Sequence, residues 1–536
     1  MRFRRAAQGT SLLLFLLLLW LAASPVAERV RVDIFLRMDP LVVLGTTLSS
    51  RAFISLLLPG FIVAALTVML GRFFCSWLCP MGTTIDITDR ILKRFRMRPR
   101  GRLQILRRAR AAKYVLLSFI LGAALAGVSL VSFVSPASIA TRLYGLVVYP
   151  VISSLTGMGI GTVRGAGSLI GLSLFEYTTI PVPTFSLQSV TVVLAAAIIG
   201  AGILAPRFWC RYLCPAGTVL AALSWRKALN RQVSDACTGC GACRKACPMD
   251  AIAEDFRRTG SSDCIVCGKC AEVCPAGAVR FSSRKGKGHG EGLSKDRRVF
   301  LLAGLSGAGA ALLYTVLPGW AGRVRDGKYS LLVRPPGALP ENAFRIRCVG
   351  CGECMKSCPT NTLQPAGLQA GITGFMSPVV VPRKGPCDTA CFKCGLVCPT
   401  GALRSLGIDE KSRAKIGTAA VIKKKCIAWE EGRPCLVCDE VCPYGAVELE
   451  YTAGSKTAVP FVDEKRCNGC GLCEHACPVE GRSAIVVSPD GALRLEEGSY
   501  ILAAKRAGYE FELKQPQEYG EPPRKGAGRL PPGFEN

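Results

Sequence analysis

The chain has 536 residues, half of them hydrophobic, with a mean hydropathy of +0.31 and a formal net charge of +29. A chain this long and this apolar is not a wholly soluble protein by expectation; it reads as several domains with membrane segments among them. The basic balance does not point to nucleic acid, because no basic–aromatic interleaving or nucleic-acid-binding fold accompanies it, and basic loops beside membrane spans account for it. The N-terminus opens with the basic stretch Met1–Arg5 and a Leu-rich apolar run over 11–23. No small-x-small cleavage site follows, so the run reads as a first membrane helix rather than a removed signal peptide. Further spans are predicted over 53–70, 114–134 and 187–205. The segment before the third is crowded with basic residues, among them Arg90, Lys93, Arg94 and Arg107, and is therefore expected inside. Residues 135–186 are apolar and Gly-rich but interrupted by Pro150, Pro181 and Pro183; they read as an external loop with a re-entrant piece.

Two stretches at the inner ends of the second and fourth spans repeat one frame. Arg72–Thr83 (RFFCSWLCPMGT) and Arg207–Thr218 (RFWCRYLCPAGT) share R-F-aromatic-C-x-aromatic-L-C-P-x-G-T. The duplication predicts two similar hairpins side by side, with Cys75, Cys79, Cys210 and Cys214 converging. A spacing of four puts both thiols of a motif on one helix face, and the proline is expected to end that helix. The set reads as a metal, cluster or redox-dithiol site; packing by small residues is the alternative.

Beyond residue 230 the chain is organised by a cysteine ladder. Cys237, Cys240, Cys243 and Cys247-Pro248 recur as Cys264, Cys267, Cys270 and Cys274-Pro275. The same spacing returns at Cys348, Cys351, Cys354 and Cys358-Pro359, and at Cys467, Cys470, Cys473 and Cys477-Pro478. Looser copies stand at Cys387, Cys391, Cys394, Cys398 and at Cys426, Cys435, Cys438, Cys442. These six copies take up all of the 28 cysteines except the four of the repeated frame.

Three thiolates in a C-x2-C-x2-C loop wrap one face of a 4Fe-4S cube, and the fourth cysteine ligates the other cluster of a pair. The expected sets are therefore crossed: Cys237, Cys240, Cys243 with Cys274; Cys264, Cys267, Cys270 with Cys247. The same rule joins Cys348, Cys351, Cys354 to Cys398, and Cys387, Cys391, Cys394 to Cys358. It also joins Cys426, Cys435, Cys438 to Cys477, and Cys467, Cys470, Cys473 to Cys442. Structural zinc is disfavoured with only His289 and His475 available, and six repeats of one three-spaced pattern are not a disulfide framework. Six such clusters would also lower the net charge to roughly +17.

Between the ladders, Ser282–Gly290 is a Lys/Gly linker, and Arg297-Arg298-Val299-Phe300-Leu301 opens a small-residue apolar run. Twin arginines with x-Phe-Leu follow an export-signal pattern, with Asp296 where Ser or Thr is usual. The expected organisation is a four-helix membrane domain (1–225), an inner two-cluster module (230–282), a linker (283–296) and a fifth membrane helix (297–320). An outer four-cluster module (340–490) and a partly disordered tail (491–536) follow. The fold class is thus membrane α-helical, about five spans, plus α+β ferredoxin-like modules, with strands expected over 446–450 and 483–487.

Residues 1–280 resemble the NapH-type membrane ferredoxin subunit of periplasmic nitrate reductase systems, on the two C-x3-C-P motifs and two clusters. Residues 295–490 resemble the NapG/MauM-type polyferredoxin, on the twin-arginine leader, four clusters and the irregular Cys426–Cys435 spacing. The resemblance implies a fusion of the two, acting as a quinol dehydrogenase component in the bacterial inner membrane. Electrons would pass from membrane quinol to a periplasmic reductase or cytochrome, with the first module cytoplasmic and the second periplasmic. A maturation or metal-handling factor, using the C-x3-C-P cysteines, and a cluster scaffold fed by a cytoplasmic donor are the alternatives.

Overall fold

The structure, a computed structural model, describes residues 2–95, 109–169, 182–224, 227–260, 262–283, 332–452 and 457–514, with isolated positions at 304, 305 and 309. The twin-arginine segment and most of the fifth expected span lie outside the described residues.

The N-terminal half is a cage of helices whose starts are fixed by buried polar groups. The first helix, Arg2–Leu21, is tied at its beginning by Arg4, which meets the buried Asp86 at 2.8 Å. Asp39 caps the helix Pro40–Ser50 by accepting from the Leu41 N–H at 2.9 Å. Its other oxygen accepts from Ser135 Oγ at 2.7 Å and from the Ala137 N–H at 3.3 Å, at the start of the helix Pro136–Arg142. One carboxylate therefore joins two helix starts, each with proline at its first position, where no intrahelical N–H is needed.

The spans differ from expectation. Among the described residues only Pro136–Arg164 is long and apolar enough to cross a membrane by length and composition. The apolar helices Pro40–Ser50, Ser55–Leu70, Ala112–Leu125 and Gln188–Ile203 fall short of the roughly 20 residues a span needs. The predicted third span stops at Leu125, where Gly127 takes a left-handed backbone (φ 82°), and the chain then dips back toward Ser135. Residues 136–169, expected as an external loop, are helical through a π-turn at Leu143–Val148. Pro150 is accommodated because it falls next to that turn, where the regular hydrogen-bond ladder is already interrupted.

Each cysteine module pairs its strands across the ladder. In the first, β1 (Asn230–Val233) runs antiparallel to β2 (Val279–Ser282), enclosing both cysteine loops. In the second, β3 (Leu363–Pro365) pairs with β4 (Pro378–Val380). Strand β5 (Thr418–Val421) pairs with β8 (Ile485–Ser488), and β6 (Val447–Glu450) with β7 (Val459–Val462) between them. The strands expected over 446–450 and 483–487 are β6 and β8. Part of the tail is folded: the helix Tyr500–Arg506 packs with Tyr500 buried, and Phe511 is buried beyond it.

The two modules dock at opposite ends of the first helix. The first module is held by Lys113–Asp263 (2.8 Å), Arg110–Asp250 (2.9 Å) and Trp77 Nε1 donating to the Val266 carbonyl (3.4 Å). Trp77 also packs against Phe3, at the helix beginning. At the other end, Lys356 donates to the Trp20 carbonyl (3.0 Å) and Lys393 to the Ala23 carbonyl (2.8 Å). A 20-residue helix separates them, about 30 Å at 1.5 Å per residue.

Candidate metal centres

The repeated frame folds as two copies of one device. In the first, Cys75 sits on the short helix Phe73–Trp77, and Cys79 caps the helix Pro80–Arg94. In the second, Cys210 sits in the π-turn Trp209–Leu213, and Cys214 caps the helix Pro215–Leu223. The sulfur of Cys79 accepts from the Gly82 N–H at 3.4 Å, and that of Cys214 from the Gly217 N–H at 3.3 Å. Thr83 and Thr218 donate back to the carbonyls of Cys79 (3.3 Å) and Cys214 (3.0 Å). Two expectations need correction. The proline begins a helix at its first position instead of ending one, and the two thiols of a motif sit on different elements, not on one helix face.

The four thiols of the two copies line one space together with Met81, Trp209 and Pro136. The glycine of each frame sits at a close approach. A Cβ on Gly82 would lie 2.8 Å from the Cys75 carbonyl oxygen, and one on Gly217 2.8 Å from the Arg72 guanidinium. Both frame arginines are fully buried. Arg207 bridges Asp86 through Nε and Nη2 (2.7 and 2.9 Å) and donates from Nη1 to the Cys75 carbonyl (3.2 Å).

Three of the crossed cysteine sets each line one common space. Cys264, Cys267, Cys270 and Cys247 line the first. Cys348, Cys351, Cys354 and Cys398 line the second, and Cys467, Cys470, Cys473 and Cys442 the third. Cys394 lies in the electrostatic reach of Cys387, Cys358 and Cys391 together. Cys426, Cys435 and Cys477 share one small apolar cluster. In the remaining set Cys243 is buried and receives Arg231 at 3.5 Å, whereas Cys240 is exposed.

Backbone N–H groups aim at the fourth-corner sulfurs: Ala251 at Cys247 (3.4 Å), Leu403 at Cys398 (3.4 Å) and Ala446 at Cys442 (3.3 Å). Such bonds tune cluster potentials. No cysteine is disulfide-bonded, and among the described residues no group of three Cys, His, Asp or Glu is set to hold a single metal ion. Burial pushes the thiols of Cys270, Cys348, Cys438 and Cys470 up to about 12, so loading them with iron at neutral pH releases protons.

The frame arginines, the frame glycines and Asp39 were not singled out as functional from sequence. The arginines and glycines carried a usable signal, since each keeps its place in both copies of the frame; Asp39 carried none.

Comparison with known proteins agrees with this chemistry. A 4Fe-4S binding domain family matches residues 52–99 and 189–232, and 4Fe-4S dicluster domain families match 229–279 and 425–480. A further 4Fe-4S binding domain family matches 346–364. The chain is similar to the methylamine utilization ferredoxin-type protein MauM of Methylorubrum extorquens, 35% identical over 207 residues. That is 37% of this chain and 90% of MauM. It is also similar to the ferredoxin-type protein NapG of Escherichia coli, 36% identical over 176 residues, 31% of this chain and 75% of NapG.

Proposed function

The chain belongs to the NapG/MauM family of ferredoxin-type iron–sulfur electron-transfer proteins, and from that premise we propose that it is a membrane-bound fusion passing electrons from quinol to a redox partner on the far side of the membrane. In this reading the N-terminal half is the NapH-type component, and six 4Fe-4S clusters occupy the crossed cysteine sets. The first module faces the cytoplasm and the second the periplasm of a bacterial inner membrane.

The observation that carries the reading is the docking of two cysteine modules at opposite ends of one 20-residue helix. Its length of about 30 Å equals the thickness of a bilayer's hydrocarbon core. The many exposed large apolar side chains of the helical half, including Leu13, Leu17, Ile62, Met69 and Leu155, support membrane residence. A cluster, when bound, supplies one-electron transfer. The residues supply placement: a buried thiolate set, N–H donors to the sulfurs, and cations such as Lys411 and Arg231 nearby. Oxidation of one quinol to quinone releases two electrons and two protons; the partner, a periplasmic reductase or cytochrome, accepts the electrons.

The test is to add a membrane quinol anaerobically to the detergent-purified chain and follow cluster reduction by EPR, with dithionite as the full-reduction control. Reduction of some clusters by quinol is expected. Reduction by dithionite alone would overturn quinol as the donor.

A further inference from the structure

We propose that the first cysteine module is a second electron port: the apex of its first cysteine loop (238–240), together with the turn 275–277, is the docking face for a soluble one-electron carrier protein. The face stands without the quinol reading; only its assignment to the cytoplasmic side rests on that reading.

The strict copies of the cysteine loop can be compared at one position, the residue before the second cysteine: Gly239, Val266, Gly350 and Gly469. Three of these apices are roofed by other parts of the chain. Trp77 donates to the Val266 carbonyl at 3.4 Å, and a Cβ on Gly71 would lie 3.2 Å from the Val266 side chain. A Cβ on Gly350 would lie 3.1 Å from Ser132, and one on Gly469 2.6 Å from the backbone of Gly417. Among the described residues nothing stands within 4 Å of a Cβ added at Gly239, nor at Gly277 in the turn. Both take a left-handed backbone (φ 70° and 59°), so glycine is held there by conformation and not by a neighbour. The next glycine of the loop, Gly241, packs on Phe256 of the same module. Of the 28 cysteines Cys240 alone is exposed, and Val273, just before the completing Cys274, is 38% exposed.

What covers the other apices identifies the partner that fits the bare one. Trp77 stands between Cys75 and Cys79 of the four-thiol site. Ser132 is on the helix Val131–Val134, just before Pro136, which lines the same site. At the third apex the Cys387 N–H donates to the Cys470 carbonyl at 2.8 Å, which brings a neighbouring cysteine set onto the loop. Each covered apex thus adjoins a further set of thiols, and the bare apex is fitted to a redox centre carried by another molecule. Charged residues beside its two loops are paired with each other, Asp235 with Arg257 (3.2 Å) and Arg244 with Glu254 (3.0 Å), while the exposed Lys245 and Glu272 have opposite signs. Docking therefore relies on small uncharged surfaces, in keeping with the small interfaces of transient redox encounters. Inward, Cys247, Cys264 and Cys267 meet Met249, Ala251 and Ile265, the small core against which Cys75 and Cys210 also pack. A docked carrier is oxidised by one electron and the module is reduced by one, with no bond made and no proton moved.

The test uses the full chain purified anaerobically with its clusters, and two photoreduced probes, a two-cluster ferredoxin and a flavodoxin. Electron transfer to the chain is followed by stopped-flow absorbance, and the footprint of each oxidised probe by hydrogen exchange. At least one probe is expected to transfer electrons and to slow exchange at 236–241 and 274–278. Ala276→Trp puts a bulky side chain on the exposed turn and should cut the second-order rate constant about tenfold. Lys505→Trp, on the helix Tyr500–Arg506, should leave that rate unchanged, and neither variant should alter reduction by quinol. Equal rates in Ala276→Trp and the wild-type chain, transfer from neither probe, or a footprint elsewhere would overturn the proposal. So would a footprint at 236–241 that grows with chain concentration without any probe, which would assign the face to a second copy. Failure of the quinol test with the carrier result intact would remove only the donor assigned above.

Discussion

The glycine of the repeated frame offers a graded test of how tightly the four-thiol site is built. In Gly82→Ala the new methyl would lie 2.8 Å from the Cys75 carbonyl oxygen and 3.7 Å from Cys79 Sγ. The obstacle is backbone, so the short helix carrying Cys75 has to move away from the helix that Cys79 caps. Overpacking of this kind costs about 1–3 kcal/mol, and alanine's better helix propensity returns at most about 1 kcal/mol. A net loss of about 0.5–2 kcal/mol is expected, with thiols displaced from their common space. In Gly217→Ala the obstacle is the end of the Arg72 side chain, which can withdraw at the expense of its hydrogen bond to the Ser262 carbonyl (3.2 Å). The loss should be smaller. Gly159, in the helix Tyr149–Leu169, has nothing within 4 Å of an added Cβ, so Gly159→Ala should be neutral or stabilising by up to about 1 kcal/mol. Thermal unfolding in detergent and iron per chain, measured on all three, check the order. Equal stability and iron content for Gly82→Ala and Gly159→Ala would refute the close-approach argument.

Three further outcomes follow from buried charge and docking. Glu341 is desolvated, which alone would raise its pKa, but hydrogen bonds and charge from Arg334 (2.6 and 3.0 Å) and Arg494 (3.0 Å) outweigh burial and hold it below the usual carboxylate range. Its stabilisation is present above the usual glutamate pKa and lost as pH falls through the lowered value; Glu341→Gln should flatten that acid limb, and an unaltered acid-unfolding profile would count against it. Glu341→Ala leaves the buried Arg334 and the half-buried Arg494 without their carboxylate and should cost about 1–3 kcal/mol in denaturant unfolding of the second module. Lys356→Ala with Lys393→Ala removes the two amines that grip the Trp20 and Ala23 carbonyls, so hydrogen exchange should rise at 20–24 and 341–360 while the first module is unaffected; unchanged exchange would place the docking energy elsewhere.

The cysteine ladder is legible in sequence because cluster ligation is local: three thiols within seven residues fix a loop whatever surrounds it. The crossed fourth cysteine is legible for the same reason, through the proline that redirects the chain after it. Strands β6 and β8 could be read from apolar pieces following those turns. The helical half is less legible. Hydropathy reports that residues are apolar, but not that the chain turns back at a buried Asp39 or Ser135 to place helix starts inside the protein. Apolar runs read as full spans therefore break into shorter helices. Pro150 misleads because a proline is normally a breaker, and only the adjacent π-turn makes it harmless. The convergence of Cys75, Cys79, Cys210 and Cys214 was visible as a duplication; the helix-capping role of two of them was not, since a cysteine before proline carries no propensity signal for a cap.

The measurement that bears most directly on the account is vectorial electron delivery. The chain would be reconstituted in sealed vesicles with quinol in the bilayer, and reduction of external ferricyanide followed for molecules whose second module faces outward. The account predicts quinol-dependent reduction that is lost in Cys398→Ala, which removes the corner of the set nearest the helical half. Ferricyanide reduction at the same rate in that variant, or none in the wild-type chain, would contradict it.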